Sequence, residues 1–191
     1  MISIIFDRKI AMKMQRIMFL SMLLSLVVCL TACHHKLHYS SYIENPTVSN
    51  LTGDQQKLLL GIERSGIQVI KQGVIFTFVI STDCFFSKDT RALKSNREQT
   101  LDRLAQFLNS YVQYFARPRI TVAGYTDTTW LYPARDLLSL HYAETIATFL
   151  REDGLSSDAI VVLGQGDANP IASNHYPMGR TFNRRVVITV H

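Results

Sequence analysis

Beyond about residue 53 the sequence predicts an α+β domain, a mixed sheet with helices packed on it. Three observations carry that prediction. Two long stretches repeat apolar residues at helical spacing, short β-branched runs stand between and around them, and glycine or proline marks most junctions.

The elements follow in order. A short helix is expected from Gln55 to Glu63, with Gly66 as its stop. Ile67 to Ile70 and Val74 to Ile80 are apolar, β-branched runs separated by Lys71-Gln72-Gly73, which is a hairpin signature. Ser95, with Glu98 three residues on, reads as a capping box ahead of the clearest helix, whose Leu101, Leu104, Ala105, Leu108, Tyr111, Val112 and Phe115 share one face. Pro118 has no N–H to donate and bars that helix from continuing, so Ile120 to Ala123 reads as a buried strand ending at Gly124. A loop from Tyr125 to Pro133 leads to a second long helix, with Pro133 in its first turn, Gly154 at its end, and Leu138, Tyr142, Ile146, Phe149 and Leu150 facing inward. Ile160 to Leu163 is a strand, Gly164 to Asn183 a long polar loop, and Val186 to Val190 a closing strand. The order, ββαβαβ and one further strand, fits an α+β or α/β sandwich.

The first residues have a different purpose. Arg8, Lys9, Lys13 and Arg16 precede an apolar run from Phe19 to Leu30, roughly twelve residues against the twenty or so that a membrane-spanning helix needs. That is the layout of a cleaved export signal. Met12 or Met14 would give a more compact basic region than Met1. The run ends in Leu30-Thr31-Ala32-Cys33, which resembles the lipobox of bacterial lipoproteins, in which the cysteine is acylated and becomes the mature N-terminus. An ordinary secretory signal with a chance cysteine is the competing reading. The resemblance divides the chain into a signal at 1–32, a lipid-anchored tether at 33–52 and a domain at 53–191. His34 stands where an aspartate would retain an enterobacterial lipoprotein at the inner membrane, so the resemblance implies the outer membrane, with the domain facing the periplasm.

Removing the signal takes away four basic side chains and one acidic one, which lowers the formal net charge from +5 to +2. No dense Lys/Arg stripe with interleaved aromatics follows, so nucleic acid is not an expected partner. With Cys33 lipidated, Cys84 is the one thiol left, no intramolecular disulfide forms, and its aromatic neighbours Phe85 and Phe86 predict burial. His34, His35 and His38 lack the Cys or carboxylate companions of a metal site. No metal or cofactor is expected.

Four spaced motifs then carry a resemblance. They are Val122-Ala123-Gly124-Tyr125-Thr126-Asp127; Leu138-Ser139 with Ala143; Gly164-Gln165-Gly166-Asp167-Ala168-Asn169-Pro170; and Gly179-Arg180 with Asn183-Arg184-Arg185-Val186. In this order they resemble the OmpA-like C-terminal domain, whose βαβαββ core would begin here near Val74. That family implies non-covalent binding of peptidoglycan through diaminopimelate, with a carboxylate for the ligand's ammonium and an arginine for its carboxylate. Asp127 matches the family's aspartate, although an aspartate there also fits a turn cap. The arginine that precedes the family's alanine is Tyr142 here, which replaces a charged fork with a phenol. Arg135, standing where the family has asparagine, either reaches the ligand's carboxylate instead or is a solvated helix-start side chain. Arg180, Arg184 and Arg185 match the C-terminal motif, where such arginines lock the last loop and line the pocket; Arg184 and Arg185 read as structural. The candidate peptidoglycan contacts are therefore Asp127, Thr126, Arg135, Tyr142, Arg180 and Arg185.

A narrower resemblance, carried by Ser81-Thr82-Asp83-Cys84-Phe85-Phe86 with the lipobox and the altered arginine position, is to OmpA-like lipoproteins of the type IVB (Dot/Icm) secretion apparatus. It implies a structural subunit of a secretion core complex, with other subunits as partners and Trp130 and Tyr132 as candidate contacts. Peptidoglycan binding is the alternative. A catalytic reading finds no paired carboxylates, Cys-His pair or metal constellation at useful spacing, and Asp127 with His141 is no triad without a nucleophile.

Overall fold

The computed structural model describes residues 51–88 and 91–191. The expected export signal, Cys33, the three histidines after it and nearly all of the expected tether lie outside the described residues. Helix α1 (Gly53–Arg64) opens the domain, followed by strands β1 (Gln68–Gln72) and β2 (Ile75–Ser81) and a single helical turn, α2 (Thr82–Phe85). Helix α3 (Glu98–Val112), strand β3 (Ile120–Tyr125), helix α4 (Ala134–Glu152), strand β4 (Ile160–Gly164), helix α5 (Pro177–Asn183) and strand β5 (Arg185–Val190) complete it.

The strands form one mixed sheet in the order β1-β2-β5-β3-β4, with β3 and β4 parallel and the other neighbours antiparallel. From β2 onward the long elements run β-α-β-α-β-β, the order implied by the family resemblance, with β1 added as a hairpin partner. Period-two alternation turns Phe76, Phe78 and Ile80 of β2 and Val186, Ile188 and Val190 of β5 to one face, where all are buried. Register lines them up across the sheet: Phe78 opposite Ile188 and Ile188 opposite Val122, Phe76 opposite Val190 and Val190 opposite Ile120. The rings of Phe76, Phe78, Phe107 and Tyr111 meet there at centroid distances of 4.9–6.1 Å. Leu101, Leu104, Ala105 and Leu108 of α3 and Ile146 and Leu150 of α4 close the core; each fully buried aliphatic or aromatic side chain contributes about 1.5–3 kcal/mol.

Three expectations need correction. Ser95 does not cap α3: Ser95–Arg97 form a 3-10 turn, and Arg97, the residue before the helix, reaches back to the Ser65 carbonyl at 3.2 Å and lies over the Phe85 ring. The capping box occurs instead at α1, where Thr52 Oγ1 accepts from the Gln55 N–H and the Gln55 side chain accepts from the Thr52 N–H. The polar stretch from Gly164 to Asn183 is not all loop, because α5 lies within it. Asn183 organises that stretch: fully buried, its side chain accepts from the Ile171 and Ala172 N–H groups and donates to the Ala172 carbonyl and Asn174 Oδ1. Finally Cys84 is exposed, since the single turn α2 directs Thr82 and Phe85 inward and leaves Cys84 outside.

Candidate functional site

One end of the sheet gathers charge because of strand order. Strand β5 lies between β2 and β3, antiparallel to both, and Arg185 stands opposite Ser81 on one side and Tyr125 on the other. The residue just before β5 therefore falls between the residues that leave β2 and β3. These are Arg184, Asp83 on α2, and Asp127 in the loop after β3. A bond from the Thr82 N–H to the Arg184 carbonyl, 3.1 Å, holds α2 against that point.

Arg184 joins the two aspartates. Its Nε donates to Asp83 Oδ1 at 2.8 Å and its Nη2 to Asp83 Oδ2 at 2.5 Å, a two-pronged fork, while Nη1 donates to Asp127 Oδ2. Asp127 is only 1% exposed, and its other oxygen accepts from the Thr129 N–H at 2.8 Å. Burial pushes the Asp127 carboxyl upward, but bonds from Thr129 and Arg184 together with the Arg184 charge outweigh it and hold the group below the usual carboxylate range. The fork from Asp83 keeps Arg184 firmly charged. One guanidinium against two carboxylates leaves the cluster with an excess of one negative charge.

The candidate residues divide around this cluster. Thr126 is buried beside Asp127; its N–H donates to the Gly166 carbonyl at 2.7 Å, and its hydroxyl has no hydrogen-bond partner among the described residues. Tyr142 is half-buried on α4, its ring 4.6 Å from that of Phe86; burial raises its phenol pKa, and Arg91, Asp83 and Arg184 are the charges acting on it. Arg135 spends its guanidinium on Asp167, at 2.8 Å, so the cation at Asp127 is Arg184. Arg180 donates to the Asn174 and His175 carbonyls. Arg185 is buried over the Tyr125 ring at 4.0 Å and donates to the Asn169 and Asn183 carbonyls, which ties the last loop to the sheet; burial pulls its pKa down. Trp130 and Tyr132, with Leu131 between them, are exposed.

Two members of the cluster, Asp83 and Arg184, were outside the candidate set. Both lie in stretches that the motifs singled out, but they are 101 positions apart, and only the strand order brings them together. Among the described residues no group of three or more His, Cys, Asp or Glu is placed to hold a metal, and no helix is long and apolar enough to cross a membrane.

The five-stranded mixed sheet with helices packed on it has the OmpA-like domain fold, and the aspartate-arginine cluster stands at one end of that sheet. Residues 85–184, just over half of the chain, match the OmpA family, and the chain belongs to that family. It is 31% identical over 136 residues to the probable lipoprotein YiaD of Escherichia coli, covering 71% of this chain and 60% of that protein. To the peptidoglycan-binding protein ArfA of Mycobacterium tuberculosis it is 37% identical over 106 residues, 56% of this chain and 31% of that one. The chain thus spans less than two thirds of either relative. The outer-membrane lipoprotein YfiB of Pseudomonas aeruginosa is 28% identical over 168 residues, 88% of this chain and 89% of its own. Among solved structures, the cell wall anchor of the T6SS from Pseudomonas aeruginosa shares the fold, with a TM-score of 0.61 and 24% identity over 71% of this chain and 94% of that chain.

Proposed function

We propose that this chain is a lipid-anchored outer-membrane protein that holds peptidoglycan without cleaving it, drawing the ammonium of diaminopimelate to Asp127. The observation that carries the reading is the buried, ionised Asp127 in a cluster with net negative charge, since such a group attracts a cation strongly where water is excluded. The peptidoglycan-binding name of ArfA and the lipoprotein names of YiaD and YfiB support it. The role is binding, with Cys33 carrying the lipid and the domain facing the periplasm. Purified sacculi test it. The protein is expected to be retained saturably and released by free diaminopimelate, and Asp127→Asn, which keeps the side chain's shape, is expected to weaken retention about tenfold. Absence of saturable retention sinks the reading.

A second reading is favoured by Tyr142 at the family's arginine position and by the exposed Trp130 and Tyr132, at 43% and 73%. In it the chain is a structural subunit of a type IVB (Dot/Icm) secretion core complex, resembling the IcmN/DotK lipoprotein, and the aromatic loop meets neighbouring subunits. Failure of the sacculus experiment would leave this reading standing.

A further inference from the structure

The cluster around Asp127 is built to draw an ammonium and is poorly suited to a carboxylate. Arg184 is already divided between two aspartates, Arg135 is committed to Asp167, and position 142 is a neutral phenol. An amino-acid ligand brings both charges on one carbon, so the site needs a further cation.

Arg91 is fastened to both walls of that site. Beyond α2, Phe86 pairs with Leu93, the Ser87 N–H donates to the Ala92 carbonyl at 2.8 Å, and the Arg91 N–H donates to the Ser87 carbonyl at 2.9 Å. Phe86 packs on Tyr142, and the Arg91 carbonyl lies 3.4 Å from Nε2 of His141, the residue before Tyr142 on α4. On the other side the Arg91 guanidinium lies over the ring of Trp130, 4.8 Å from its centre, and Trp130 is in the same loop as Asp127. Stacking of this kind fixes the plane of a guanidinium while leaving its N–H donors free to bond. Among the described residues no carboxylate is paired with it. The Arg91 backbone has φ +56, a left-handed conformation that costs a side-chain-bearing residue about 1–2 kcal/mol and costs glycine almost nothing. Strain of this sort is tolerated where the side chain is needed.

We infer that Arg91 receives the carboxylate of the same ligand centre whose ammonium Asp127 draws. An arginine reaching over from the turn after α2 thus supplies the charge that position 142 on α4 does not. The inference rests on the peptidoglycan-binding reading above and adds to it the residue that sets specificity for a zwitterionic stem-peptide terminus.

The test uses the full chain in detergent micelles and two muropeptide probes, one with meso-diaminopimelate in its stem and one with lysine, which keeps the ammonium and lacks the distal carboxylate. The unaltered protein is expected to bind the diaminopimelate probe at least about tenfold more tightly, the ratio that loss of one charge-assisted contact produces. Arg91→Gly is expected to bind both probes equally, at the level of the lysine probe, with a thermal midpoint unchanged or raised because glycine suits the backbone there. Arg91→Lys is expected to keep part of the preference. A variant Arg91→Gly that retains the full preference overturns the inference, as does an unaltered protein that binds both probes equally; in both cases the peptidoglycan reading survives. Binding of neither probe removes both.

Discussion

Asp127 keeps a negative charge where water has little access, and an unpartnered charge in such a place costs several kcal/mol. Arg184 offsets that cost, so removing it is worse than removing a surface pair. Arg184→Ala is expected to destabilise the domain by about 2–3 kcal/mol in urea unfolding, short of the value for a fully buried pair because 28% of the Arg184 side chain stays exposed. Acid should act through the same bond. The folded-state pKa of Asp127 is depressed, so its stabilisation is complete above the unfolded-state value of about 4 and is lost as pH falls through the lower folded value. Asp127→Asn is therefore expected to flatten the decline in stability below about pH 4; a variant that loses stability with acid as steeply as the parent would refute the assignment. At this scale one of the cluster's three residues was legible. Asp127 stands in a motif whose neighbours announce it, whereas the importance of Arg184 depends on Asp83, which no local pattern connects to it.

The elements were legible in proportion to their periodicity. Helix α3 and the inward rows of β2, β3 and β5 follow from repeated apolar spacing, because burial of one face is what makes those segments fold. Helix α5 escaped that logic: it has seven residues, and its Met178 and Phe182 face solvent, so no apolar stripe marks it. The start of α3 was misplaced because Arg97 trades capping for contacts with Ser65 and Phe85, which lie far away in sequence. The close approach of β3 to α4 is also a sequence signal with a physical cause. A Cβ added at Gly124 of β3 would stand 1.9 Å from the Ser139 carbonyl oxygen of α4, and backbone cannot yield as a side-chain tip does. Gly124→Ala is expected to separate α4 from the sheet and lower the thermal midpoint by several degrees, with loss of sacculus retention, since Asp127 and Tyr142 sit on the two parts forced apart. An unchanged midpoint would mean that α4 moves freely over β3.

For the whole molecule, the proposed lipid at Cys33 and the proposed grip at Asp127 are two attachments of one chain, and their energetics are coupled by distance. The roughly twenty residues from Cys33 to Thr52 span at most about 70 Å even when fully extended, so a lipid on Cys33 would confine the domain to a thin layer beside the membrane. Such confinement would raise the local concentration of the wall ligand toward the millimolar range, so that even a weak site would be occupied. Loss of one attachment should then be partial and loss of both complete. After lysis and fractionation, Cys33→Ser is expected to leave the membrane fraction yet remain partly on sacculi. Asp127→Asn should stay with the membrane and lose the wall, and the double variant should be recovered in the soluble periplasm. The comparison that decides is between Cys33→Ser and the double variant: if both are equally soluble, the domain has no hold of its own on the wall, and its partners are to be sought on the exposed loop of Trp130 and Tyr132 instead.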